Sequence, residues 1–138
     1  MLDKIICVDD DIITLMLCKK VIEKANFAEE IIACKNGEEA MNYFDSLSLE
    51  AKSTNTASLY PKLVFLDLNM PIMNGWEFLD SFLKKQYDQK FSDTKFIVLS
   101  STIDPHDMDK SLSYPIVIDF VSKPITKEML ERLKSKLS

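Results

Sequence analysis

The sequence predicts an α/β domain of five βα units, (βα)5, doubly wound with helices on both faces of a five-stranded parallel sheet, and three observations carry that prediction. Five short apolar runs recur along the chain: Ile5-Ile6-Cys7-Val8, Ile31-Ile32-Ala33-Cys34, Leu63-Val64-Phe65-Leu66, Phe96-Ile97-Val98-Leu99 and the weaker Ile116-Val117-Ile118-Asp119-Phe120-Val121. They are nearly continuous rather than alternating, which is how strands read when both faces are covered. Between them, apolar residues recur at intervals of three and four, the period of a helix with one buried face. The length of 138 residues is that of one such domain, and 46% hydrophobic residues with 8 Phe, 4 Tyr and 1 Trp suffice for a core.

Taken in order, the first run is followed by Leu15, Cys18, Ile22 and Ala25 on one helical face. After the second run, Asn36 with Glu39 spells a capping box, opening a helix that buries Ala40, Met41, Phe44 and Leu47. Residues 46–61, rich in Ser, Thr, Asn and Ala, exceed the usual connection length and are expected to be an exposed loop insertion within a single domain spanning 1–138. The third run leads to Trp76, Leu79, Phe82 and Leu83 on a third helix. After the fourth run, Asp104-Pro105 supplies a cap with Pro at the first helical position, and Met108 and Leu112 are the expected anchors. After the fifth, Thr126 caps a last helix with Leu130, Leu133 and Leu137 inward and Lys134 and Lys136 near its C-terminus, where cations suit the dipole. Strands alternating with helices through right-handed crossovers give a parallel sheet, and five of them suit the flavodoxin-like order 2-1-3-4-5.

Charge and composition exclude several functions. Seventeen Lys and Arg against 22 Asp and Glu leave a net charge of −5, the wrong sign for direct nucleic-acid binding through phosphates. No apolar run is long enough for a membrane span, and Asp3 stands where a signal peptide would carry positive charge, so a cytoplasmic protein is expected. Only Gly37 and Gly75 are glycine, too few for a Gly-rich nucleotide cradle. Cys7, Cys18 and Cys34 lie in apolar stretches without paired spacing and read as small core residues.

Ligand sites in open α/β sheets lie beyond the carboxyl ends of the strands, where strand order reverses. There the first strand delivers Asp9, Asp10 and Asp11, the third Asp67, the fourth Ser100 and Ser101, and the fifth Lys123. Carboxylates a few ångströms apart repel by about 4 kcal/mol per pair at an effective dielectric of ~20, so the cluster calls for a cation. Oxygen ligands alone, with no His or Cys nearby, suit Mg²⁺ better than Zn²⁺. A metal beside a carboxylate and a lysine can bind phosphoryl oxygens, which points to phosphoryl transfer to an aspartate with Lys123 and a Ser hydroxyl assisting. Each residue has a plain structural role available: Asp11 as an N-cap, Asp67 as a strand end, Lys123-Pro124 as a turn. Four strand ends that all carry what one site requires outweigh those separate accounts.

The pieces Ile5 to Asp11, Leu63 to Asp67 with Leu68-Asn69-Met70-Pro71-Ile72-Met73-Asn74-Gly75-Trp76, Val98 to Ser101, and Phe120-Val121-Ser122-Lys123-Pro124 together resemble a response-regulator receiver domain of two-component signalling. The resemblance implies that Asp67 is the phosphoacceptor and that Mg²⁺ is held by Asp10, Asp67 and the backbone carbonyl of Asn69, with Asp9 acting through water. It makes Lys123 a phosphoryl contact, Ser100 the hydroxyl that follows phosphorylation, and Phe120 the switch aromatic that remodels the face of the fourth helix, fifth strand and fifth helix. It implies a histidine kinase or histidine phosphotransfer protein as donor, an unknown protein target, no output domain within the chain, and no enzyme activity beyond turnover of its own phosphoryl group.

The chain departs from the family pattern in three places. Ser100 replaces the usual Thr, Phe120 lacks the hydroxyl of the common Tyr, and Leu112-Ser113-Tyr114-Pro115-Ile116-Val117 lacks the small pair frequent there. Two alternatives compete. Val8-Asp9-Asp10-Asp11 also matches the D-x-D of haloacid-dehalogenase-like phosphatases, which would make Asp9 the nucleophile but leaves the Asp67 motif unexplained. The other is a receiver-like docking module that takes no phosphate.

Overall fold

The computed structural model describes residues 2–50, 60–70 and 72–137, without the side chain of Leu137. Pro71 and residues 51–59, the middle of the expected insertion, lie outside the described residues, as does the inward placement expected of Leu137. The elements are β1 (Leu2–Val8), α1 (Ile12–Lys24), β2 (Ala28–Cys34), α2 (Gly37–Glu50), β3 (Leu63–Asp67), α3 (Gly75–Lys84), α4 (Tyr87–Lys90), β4 (Lys95–Ser100), α5 (Pro105–Leu112), β5 (Val117–Ser122) and α6 (Lys127–Leu137). The sheet is parallel throughout, in the predicted order β2-β1-β3-β4-β5.

Successive strand residues face opposite layers, and both layers are filled, which is why the runs read as continuous rather than alternating. Ile6, Val8, Val64, Leu66 and Val98 pack against Phe44 of α2 and Phe78 and Phe82 of α3. On the other face Ile5, Cys7, Phe65, Ile97 and Leu99 pack against Leu15 and Ile22 of α1 and Leu130 and Leu133 of α6. Each fully buried Phe or Leu contributes about 2 kcal/mol of transfer free energy, so the two layers supply the main stabilisation. The three cysteines are free and buried in these layers, as their sequence context indicates. No helix among the described residues is long and apolar enough to cross a membrane.

The structure corrects four local expectations. Helix α2 continues to Glu50 and buries Leu47, so residues 46–50 are helical rather than the start of an exposed loop. At the start of α2, Asn36 Oδ1 accepts the Glu39 amide as a capping box requires, but the Glu39 carboxylate turns to the Lys35 amide instead of that of Asn36. A one-turn helix, α4, intervenes before β4, its Tyr87 packing edge-on to Phe82 and Phe91. One turn is too short to show a period, so no sequence pattern announced it. In α5 the expected anchor Leu112 is 47% exposed, whereas Ser111 is fully buried. With Met108 half-buried, the inward face passes through positions 108 and 111, and Leu112 is rotated one further step away.

Candidate functional site

The strand register aligns the carboxyl ends of β1, β3, β4 and β5. Val8 pairs with Leu66, Asp67 with Leu99, and Ser100 with Ser122, so Asp9, Asp67, Ser100 and Lys123 emerge along one edge. Asp9 is 3% exposed and Asp67 5% exposed, while Asp10 is open to solvent. Asp9 Oδ1 accepts the Asp11 amide at 2.9 Å, and Asp11 in turn caps α1 by accepting the Ile13 amide at 2.9 Å. One carboxylate oxygen from each of Asp9, Asp10 and Asp67 lies within 4.8 Å of the others. Lys123 enters from the end of β5, its amide bonded to the Ser100 carbonyl at 2.8 Å, ahead of a cis Lys123-Pro124 peptide. Its ammonium nitrogen stands 2.6 Å from Asp9 Oδ2 and 3.3 Å from Asp67 Oδ1.

Three carboxylates around one ammonium leave the pocket negative. Burial, then the charge of Asp9, hold the Asp67 carboxyl above the usual carboxylate range, against the opposing pull of Lys123 and the Asn69 amide. For Lys123, burial pulls the other way, but the Asp9 hydrogen bond and the charges of Asp67 and Asp9 raise it above an ordinary lysine, so it stays protonated. The donor set is hard oxygen only and its geometry is compact, which fits a small divalent cation such as Mg²⁺. Asn69 lies two residues beyond Asp67, with its amide 3.4 Å from Asp67 Oδ1.

Ser100 is buried at 3% exposure, and its Oγ accepts the Thr102 amide at 3.2 Å. Phe120 is buried within the layer that holds Val98 and Phe78. The structure therefore brings Asp9, Asp10, Asp67 and Lys123 into direct proximity, with Ser100 on the same edge and Phe120 one strand away. Asp9 is buried and paired at 2.6 Å with Lys123, which suits a charge partner rather than the exposed nucleophile of a phosphatase.

Two residues bracing this site, Gly75 within the motif and Gly37 outside it, were given no role by the sequence beyond ruling out a Gly-rich nucleotide cradle. A Cβ on Gly75 would meet the Asp67 carbonyl oxygen at 2.7 Å and Leu68 Cα at 2.9 Å, and a Cβ on Gly37 would meet the Met73 carbonyl oxygen at 2.6 Å. The Gly75 amide bonds to the Leu68 carbonyl at 3.0 Å and the Gly37 amide to the Met73 carbonyl at 3.1 Å. Both glycines thus let helix ends press onto the segment that follows Asp67. Asn74 and Glu77 close a full capping box on α3, which Asn-x-x-Glu at 74–77 spells in the sequence.

Residues 5–134 match the family described as the response regulator receiver domain. The chain belongs to that family. Among solved structures, this receiver is similar to a two-component response regulator from Cytophaga hutchinsonii, at 32% identity and TM-score 0.85, covering 99% of this chain and 96% of that one. It is also similar to a response regulator from Thermotoga maritima, at 26% identity and TM-score 0.70, covering 99% and 98% of the two chains. Among curated proteins, the alkaline phosphatase synthesis transcriptional regulatory protein SphR of Synechococcus elongatus is 30% identical over 97% of this receiver. A hybrid signal transduction histidine kinase C of Dictyostelium discoideum is 27% identical over 96% of it. The chain spans 48% of the first and 10% of the second, so it corresponds to one part of each. Receiver domains take phosphate from histidine kinases, and the fold is not that of a conventional enzyme.

Proposed function

We propose that the protein acts as a response-regulator receiver that accepts a phosphoryl group on Asp67 from a phosphohistidine donor and controls a partner protein through its α5-β5-α6 face. The observation that carries the reading is the buried Asp67 carboxylate held between two further acids and the Lys123 ammonium at 3.3 Å. In the transfer, an Asp67 carboxylate oxygen forms a bond to phosphorus as the phosphorus–nitrogen bond of phosphohistidine breaks, and the imidazole leaves with that electron pair. Asp10, Asp67 and the Asn69 carbonyl would hold Mg²⁺, with Asp9 acting through water. When bound, the ion supplies positive charge to the phosphoryl oxygens. Lys123 would neutralise the developing charge, moving its ion pair from the acids to the phosphoryl group.

The product adds charge near −2 and new acceptor oxygens at the end of β3. Ser100 would turn its hydroxyl toward them, and Phe120, already buried beside Val98, would repack with it, remodelling the face of α5, β5 and α6. Ile12, Ile13, Met16 and Leu17 expose apolar side chains on α1 immediately after the acidic run, which supports a protein donor, a histidine kinase or histidine phosphotransfer protein. The target is a protein of unknown identity rather than nucleic acid, and the reading implies a cytoplasmic location.

Acetyl phosphate with Mg²⁺, followed by intact mass, tests the assignment. A gain of one phosphoryl group in the wild type that disappears in Asp67→Asn supports it. No gain, or the same gain in the variant, overturns it; label on Asp9 would restore the phosphatase alternative.

A further inference from the structure

Helix α5 is weakly tied to the core. Its fully buried position is Ser111, whose hydroxyl has no hydrogen-bond partner, while Met108 is half-buried and Leu112 is exposed. Such a helix gains little from burial and can adopt more than one orientation at small cost. Beside its contact with β5 and the packing of Met108 on the core, a polar and aromatic cluster shared with α3 holds it. The Trp76 ring lies nearly parallel to that of Tyr114, 24° between planes and 6.3 Å between centroids. The Lys110 ammonium sits 4.3 Å over the Trp76 ring, a cation–π distance. The Tyr114 hydroxyl donates to Asp80 Oδ1 at 2.6 Å. Trp76 and Asp80 are four residues apart on one face of α3, and Lys110 and Tyr114 belong to the last turn of α5 and the turn after it.

The anchoring side of this cluster reaches the site directly. Trp76 follows Gly75, whose amide is bonded to the Leu68 carbonyl and which has no room for a side chain against the Asp67 carbonyl oxygen. A shift of the Asp67 strand end therefore moves the first turn of α3, and with it one wall of the cluster. Burial, then the Asp80 hydrogen bond, push the Tyr114 phenol up to about 12, so the donor proton stays in place through the neutral range.

We propose that Trp76, Asp80, Lys110 and Tyr114 form a latch that holds α5 in its resting orientation and sets how readily the domain switches. The proposal rests on Asp67 being the phosphoacceptor. The segment containing Tyr114 is also where the chain departs from the usual small pair of its family, so the latch gives that departure a role. A contact made only in the resting state lowers the fraction of the competent form, and releasing it strengthens binding of any ligand selective for that form.

Tyr114→Phe removes the Asp80 hydrogen bond while keeping the ring, and Lys110→Met removes the cation while keeping the stem. Two measurements decide the matter. In hydrogen exchange without phosphoryl or its mimic, each variant should lose protection in residues 105–112 by about fivefold, the equivalent of one hydrogen bond, with α1 and α6 unchanged. In calorimetric titration with beryllofluoride and Mg²⁺, each should bind about fivefold more tightly than the wild type. Unchanged exchange in 105–112, or equal or weaker beryllofluoride binding, overturns the latch, as does a general loss of protection in both variants. If the wild type itself neither binds beryllofluoride nor gains mass from acetyl phosphate, the phosphoacceptor reading fails instead, which is a separate result.

Discussion

Replacing Asp67 with Asn keeps the shape of the side chain and removes one charge, and the site geometry sets the expected outcome. Asp9 and Asp67 oxygens within 4.8 Å of each other repel by about 3.5 kcal/mol at an effective dielectric of ~20. The Lys123 ammonium at 3.3 Å returns about 5 kcal/mol on the same scale. Asp10, exposed to water, adds about 1 kcal/mol of repulsion. The Coulomb contributions nearly cancel, so desolvation of a carboxylate that is 5% exposed decides the sign. Ionised Asp67 therefore costs stability, in agreement with its raised pKa. A carboxyl whose folded pKa lies above the unfolded value of 3.8 contributes stability below that value and loses it as pH rises through the folded pKa. Asp67→Asn is thus expected to be more stable than the wild type by about 2 kcal/mol near neutral pH in EDTA, a urea midpoint shift of about 1 M. The gap should close as pH falls through the raised folded pKa of Asp67 toward the unfolded value of 3.8. Millimolar Mg²⁺ should raise the wild-type midpoint and leave the variant nearly unmoved. An Asn variant equal or inferior in stability in EDTA, or one stabilised by Mg²⁺ as much as the wild type, would refute the charge balance described here.

Three further outcomes follow from the same structure. Lys123→Met leaves buried Asp9 without its 2.6 Å partner and should lower stability by about 3 kcal/mol in EDTA, with most of the loss recovered in Mg²⁺; denaturant midpoints in both conditions check it, and a loss insensitive to Mg²⁺ would count against the shared pocket. Gly75→Ala forces a Cβ against backbone atoms of Asp67 and Leu68, so a loss of about 1–3 kcal/mol in urea titration and slower Asp67 labelling are expected, whereas an unperturbed variant would contradict the close approach. Burial raises the thiols of Cys18 to about 11 and Cys34 to about 12, and lifts Cys7 as well. These groups are neutral when protonated and have folded pKa values above the ordinary 9.0, so their stabilisation is complete below pH 9 and lost as pH rises beyond it. The unfolding free energy from urea titration should fall between about pH 9 and 11, by on the order of 1 kcal/mol per pH unit for each thiol, and Cys→Ser variants that retained the full decline would argue against the thiols as its source.

Strand identity, strand order and which acids stand together at the strand ends were legible because they rest on local composition. A run such as Leu63 to Leu66 must be covered on both faces wherever it lies, and parallel strands with crossovers leave few ways to wind. Asp9, Asp67 and Lys123 could be placed together from the sequence because each ends or directly follows its strand. The helix α4 and the exposed face of Leu112 were not legible, since the first is one turn long and the second depends on the rotational phase of α5 against Tyr114 and Trp76. The close approach of Gly75 to Asp67, the turn of Glu39 toward Lys35, and the Trp76–Lys110–Tyr114 stack involve neighbours set by the packing of helices on the sheet. Periodicity and residue type, which a chain carries with it unfolded, determined the architecture and the chemistry at the strand ends. Distances, burial and hence the charge balance around Asp67 were decided only when separate strands aligned in register, because Coulomb energy and desolvation depend on spatial separation and surroundings rather than on position along the chain.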